Sequence, residues 1–174
     1  TTPKDRYEEG YNSGMDAIVT KTVVYYRNDT LGGIMPNCFS NCQNLVTLIL
    51  PKVTHVNGLS GCSALKYCDF SNAGYIQSGA FQGCVSLEEL DLPSAVQIHS
   101  NVFVGCTSLT TLILRQTAGV AYLGNIESFT NTPIANGTGY IYVPASLVEE
   151  YKSATNWSTY AEQIRAIEDY PEIT

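Results

Sequence analysis

The chain has 174 residues, 44% of them hydrophobic and 14% charged, with sixteen acidic side chains against nine basic ones. That length suits one domain, and that composition suits a packed core rather than a disordered chain. A net charge of −7 leaves no basic stripe for nucleic acid. No apolar run approaches the ~20 residues of a membrane span.

In chain order, the opening Thr1, Thr2, Pro3, Lys4 and Asp5 contain no apolar signal core, so any export signal is expected to have been removed or never to have existed. Residues 7–14 are polar and punctuated by glycine, a lead-in or a short helix. Residues 16–26 are rich in β-branched and aromatic side chains and predict one or two strands that cover the first repeat. Residues 1–30 thus read as an N-terminal lead-in and β cap.

The middle of the chain is a repeat. Residues 39–51 (FSNCQNLVTLILP), 59–71 (LSGCSALKYCDFS), 81–93 (FQGCVSLEELDLP) and 103–115 (FVGCTSLTTLILR) superpose on one template, F-x-x-C-x-x-L-x-x-L-x-L-P. Successive template cysteines are 20, 22 and 22 residues apart, and Ile34, Ile76 and Ile98 stand five places before three of the hooks. A degenerate fifth unit comes next, with Phe129 as hook, Thr132 in the Cys place, a Gly-rich turn, and the strand Ile141, Tyr142, Val143. Alternation along L-x-L sends Leu48 and Leu50 to one side and Thr47 and Ile49 to the other. One unit alone cannot bury its apolar side. Stacked units lay short strands into a parallel sheet and align Leu, Phe and Cys in one column.

Pro144 opens a helix carrying Leu147, Val148 and Tyr151 on one face, and Asn156 is placed to cap a second helix from Trp157 to about Ile167. The fold class expected is therefore a leucine-rich-repeat solenoid: four to five repeats over residues 31–144, a β cap before them, and a helical C-terminal cap over residues 145–174.

The repeat unit resembles the BspA-type leucine-rich repeat, and residues 140–157 are similar to the segment that often closes such arrays. The likeness spans roughly residues 31–168. It implies a bacterial surface or secreted protein, adhesion to host proteins in some members, and prophage-encoded relatives in gut bacteria.

The six cysteines fall on template positions or beside them. Cys42, Cys62, Cys84 and Cys106 share one place, Cys68 stands where Leu48, Leu90 and Leu112 stand, and Cys38 matches Ala80 and Val102. All six are expected to point inward as small hydrophobes with free thiols. Cys38 and Cys42 are the only close pair and straddle a core Phe, so no metal site is expected. His55 and His99 read as surface-loop residues. No catalytic or nucleotide-binding motif occurs, so neither an enzyme nor a cofactor is expected. Asn28, Asn136 and Asn156 begin glycosylation-type triplets.

Chemistry is left to the outward side of the strand ladder: Thr47, Ile49, Tyr67, Asp69, Glu89, Asp91, Thr111, Ile113 and Arg115, with Tyr140 and Tyr142 from the fifth unit. Asp69 and Asp91 are expected side by side, about 4.8 Å of strand spacing apart. The function expected is a non-enzymatic extracellular or cell-surface recognition or adhesion module. It would bind a host or bacterial surface protein or a glycan, with no nucleic acid and no membrane insertion; the oligomeric state is left open. The alternative is a structural spacer or phage tail-associated part with no small-molecule ligand.

Overall fold

The structure, a computed structural model, describes residues 25–30, 32 and 37–173. The lead-in expected at 7–14, most of the strand region at 16–26, and Ile34 lie outside the described residues.

Each repeat folds as the alternation demands, into a three-residue strand with its middle side chain buried. These strands are β2 (Thr47–Ile49), β4 (Tyr67–Asp69), β6 (Glu89–Asp91) and β8 (Thr111–Ile113), and the degenerate unit supplies β10 (Tyr140–Val143). The pairings among them are parallel and in template register, such as Leu48↔Cys68, Leu90↔Leu112 and Ile141↔Leu112. The first described strand, β1 (Tyr25–Arg27), joins this ladder too, pairing parallel with β2. The N-terminal strand is thus laid down in the repeat's own register.

A second parallel ladder runs along another side of the stack, and the template alone did not announce it. Its members are two residues long: β3 (His55–Val56), β5 (Tyr75–Ile76), β7 (Gln97–Ile98) and β9 (Tyr122–Leu123). Ile76 and Ile98, two of the isoleucines five places before the hooks, are among its inward residues. Val56, Ile76, Ile98 and Leu123 meet Leu48, Leu90, Leu112 and Ile141 in one continuous core. His55 therefore lies in a strand rather than a loop, while His99 lies in the loop directly after one.

Between the ladders each chain segment turns through the hook. The residue before the hook Cys, or before Thr132, is Asn41, Gly61, Gly83, Gly105 or Asn131, and all five have φ between 59° and 77°. That left-handed conformation is open to Gly at no cost and to Asn at little, which is why no other type occupies the place. Hook amides bond to the next unit, as in Gly83 N–H to the Val104 carbonyl at 2.9 Å. The hook rings form an aromatic spine: Phe81 to Phe103 at 6.0 Å, Phe103 to Phe129 at 5.1 Å, and Phe129 to Tyr160 at 4.9 Å.

The C-terminal segment closes both ladders by different means. A 3₁₀ turn (Ala145–Leu147) leads into α1 (Val148–Ser153), which buries Tyr151 as expected. The second helix is shorter than its sequence implies. A 3₁₀ segment, Trp157–Gln163, is kinked at Tyr160 and gives way to β11 (Ile164–Ala166), which adds to β10 in parallel. The unpaired edge of β10 must find hydrogen-bond partners, and that requirement outweighs local helix preference. Asn156 does not cap a helix; at φ 67° its side chain donates to the Leu123 carbonyl at 2.7 Å. Beside it Trp157 Nε1 donates to the Ala121 carbonyl at 2.6 Å, and the Tyr151 hydroxyl accepts the Ala121 N–H at 3.0 Å. Three side chains thus stand in for the strand that β9 lacks.

Candidate functional site

The first ladder is not continuous. β4 and β6 are not hydrogen-bonded to each other, so β1, β2 and β4 form one sheet and β6, β8, β10 and β11 another. The expected side-by-side pairing of Asp69 and Asp91 is therefore not made. Like charges facing across a ladder oppose its closure, and this junction would bring Asp69 against Asp91 with Glu89 on the same face. The core there also holds Cys68 where Leu48, Leu90 and Leu112 stand.

The interruption opens a cleft of about 350 Å³ lined by Lys66, Tyr67, Asp69, Glu89, Asp91 and, at its floor, Cys68. Tyr67 is 55% exposed beside it. Asp69 is held by the turn that follows its strand, accepting the Ser71 N–H at 3.0 Å and the Ser71 hydroxyl. Asp91 Oδ2 accepts from Arg115 Nε at 2.7 Å, while Asp91 Oδ1 is buried with no hydrogen-bond donor among the described residues. Burial holds the Cys68 thiol well above its ordinary range, so it is a neutral floor rather than a nucleophile.

Four of the expected outward residues, Tyr67, Asp69, Glu89 and Asp91, are thus gathered at the cleft. Thr47 and Ile49, half-buried, lie on the strand beyond β4, and Thr111, also half-buried, lies on the strand beyond β6. The rest of the face is covered. Ile113 is only 2% exposed and packs with Tyr142 under Ile167 and Ile173, with Tyr170 alongside, and Arg115 donates to the Ile173 carbonyl at 2.5 Å. Alternation placed Ile113 and Tyr142 correctly on the outward side. The apolar pair they form recruits the chain's own C-terminal tail, which periodicity within the repeats cannot anticipate. Tyr140 remains exposed, with the Arg165 guanidinium 4.7 Å above its ring.

The two ladders differ in charge. Between residues 53 and 126 the only charged side chains are Lys66, Asp69, Glu88, Glu89, Asp91 and Arg115, all within two residues of β4, β6 or β8. The second ladder carries none. Its outward row is His55, Tyr75, Gln97 and Tyr122, placed in register by the strand pairing. His55 and Tyr75 stack at 4.6 Å, and Tyr122 meets His99 edge-on at 6.4 Å.

Beneath both faces all six cysteines are buried, and none is in a disulfide. Cys62, Cys84 and Cys106 thiols donate to the Phe39, Leu59 and Phe81 carbonyls at 3.0, 3.3 and 3.0 Å, so the column doubles as a set of inter-unit links. Burial pushes the Cys84 thiol up and the Cys106 thiol up to about 12. Among the described residues no cluster of three or more His, Cys, Asp or Glu could hold a metal ion, and no helix is long and apolar enough to cross a membrane.

Residues 24–134 match the family model described as the BspA type leucine-rich repeat region, in six copies. No curated protein is significantly similar to the chain. Six copies beginning at residue 24 agree with β1 lying in the repeat register, one unit earlier than the sequence template reached.

Proposed function

Because the chain belongs to the BspA-type leucine-rich-repeat family, we propose that it is a short extracellular solenoid that recognises a basic protein segment at the acidic cleft between β4 and β6. Leucine-rich-repeat families are generally non-enzymatic protein-interaction modules, and BspA-type members are typically surface or secreted bacterial proteins. The observation that carries the reading is the interruption itself. It replaces a flat ladder with a cleft whose wall holds a buried, undonated carboxylate oxygen and whose rim adds Asp69, Glu89 and an exposed Tyr67. A Lys or Arg side chain pairs with the Asp69 and Glu89 carboxylates, and Tyr67 packs against its stem.

The test uses an oligolysine or oligoarginine peptide as probe, titrated at low and moderate salt. Binding should weaken with salt and be lost in Asp69→Asn with Glu89→Gln, a pair that leaves the Asp91–Arg115 contact in place. Undiminished binding by that folded variant would move the site elsewhere. The second reading, a structural part of a surface or phage tail assembly, is favoured by the tail that closes over Ile113 and Tyr142. Under that reading no basic peptide binds.

A further inference from the structure

The second ladder is a separate face with chemistry of its own. It presents two outward rows: His55, Tyr75, Gln97 and Tyr122, then, two residues on, Asn57, Gln77, His99 and Gly124. No Asp, Glu, Lys or Arg lies on it, although the chain as a whole carries 25 charged residues. Tyr75 and Tyr122 are 36% and 56% exposed even with His55 stacked on the one and His99 edge-on to the other. They stand two strands apart, about 9.6 Å at the usual strand spacing, with Gln97 between them. Past Tyr122 the row runs into a hollow of about 340 Å³ lined by Val96, Val120, Ala121 and Thr155.

We infer that this face binds a neutral, linear polysaccharide lying along the ladder. The interval between the Tyr75 and Tyr122 rings, floored by the Gln97 amide, takes one pyranose unit, and the strip from β3 to β9 holds a short run of them. Sugar C–H faces pack on aromatic rings. Sugar hydroxyls are donors and acceptors at once, and Asn, Gln and His side chains offer both. The charge pattern selects against the other candidates. Nucleic acid and sulfated or sialylated glycans need local cations, and this face has none while the whole chain carries −7. A protein interface draws on Arg and Met as well as aromatic rings, and this face has neither Arg nor Met, only rings separated by amides.

Affinity electrophoresis through gels containing mixed-linkage glucan, xyloglucan, galactomannan, mannan or amylose, with heparin as the anionic control, tests the assignment. Retardation is expected in at least one neutral gel and none in heparin. Tyr122→Ala should weaken it several-fold, and Tyr75→Ala with Tyr122→Ala should abolish it. Both rings are exposed, so the far-ultraviolet circular dichroism should match the parent, with the melting temperature lowered only slightly by loss of the His55–Tyr75 stack. Asp69→Asn with Glu89→Gln should leave the retardation unchanged, which separates this face from the acidic cleft. Migration unaffected by every neutral gel overturns the assignment. So does retardation that survives the double tyrosine variant, binding to heparin, or self-association that the tyrosine substitutions remove.

Discussion

The two ladders are built by the same repeats over the same core, yet they have opposite surfaces. The first has strands of three or four residues, collects every charge between residues 53 and 126, and is broken between β4 and β6. The second has two-residue strands, carries no charge, and runs unbroken from β3 to β9. Short strands with few ladder hydrogen bonds would be expected to break first. The reverse is observed, and the difference lies in side chains: Asp69, Glu89 and Asp91 gather on one face of the first ladder, whereas His55 and Tyr75 stack across the second. Cross-strand pairs, more than strand length, decide where this sheet closes.

If the two faces share one core, neither can be lost alone. Leu90→Ala beneath the first ladder and Ile98→Ala beneath the second each remove a side chain no more than 1% exposed. Each should cost about 2–5 kcal/mol and lower the unfolding midpoint seen by every probe together. Separate transitions for the two variants would mean that the ladders are independent units. Leu147→Ala, at 6% exposure in the closing segment, should cost less.

The thiol column supplies a pH-dependent form of the same test. Buried thiols such as Cys84 and Cys106 titrate above their ordinary value of 9.0 in the folded chain. The unfolded chain therefore loses those protons first, so the stability they contribute is complete below about pH 9 and falls as pH rises. For Cys106 the fall continues to about 12. Each such thiol contributes a slope of about 1.4 kcal/mol per pH unit across that window. Denaturation midpoints measured from pH 7 to 10.5 should stay level and then drop. A thiol reagent at pH 8 should find no reactive group in the native protein and six after denaturation.

A smaller effect concerns the covered half of the first ladder. Arg115 bridges Asp91 and the tail, with both side chains of the ion pair about one-third exposed. Arg115→Ala should cost about 0.5–1 kcal/mol after solvent screening. More tellingly, it should make the Glu172–Ile173 bond accessible to a glutamate-specific endoprotease under native conditions. Unchanged cleavage would mean that the apolar contacts of Ile113 and Tyr142 hold the tail alone.

The smallest effect has the opposite sign. If carboxylate repulsion holds β4 from β6, Asp69→Asn with Glu89→Gln should raise stability by a few tenths of a kcal/mol, with the gain shrinking in high salt. A loss of stability would show that the interruption has another cause.

The repeat determined most of this protein before any folding was considered. A period near 22 residues with Leu, Phe and Cys at fixed places fixes parallel strands, an inward column and buried thiols, because each unit can bury its apolar side only against its neighbours. The positive φ of the Asn or Gly before each template Cys, or before Thr132, emerged only with the fold. What the template could not hold was whatever depends on contact between different parts of the chain. The break between β4 and β6 depends on which acids meet after stacking. The covering of Ile113 depends on a tail 60 residues away along the chain. The second ladder depends on side chains that lie outside the template and become a face only when four units bring His55, Tyr75, Gln97 and Tyr122 into one row. Periodicity specifies what each unit does with its own neighbours in sequence, and only the tertiary structure decides which surfaces those units then share.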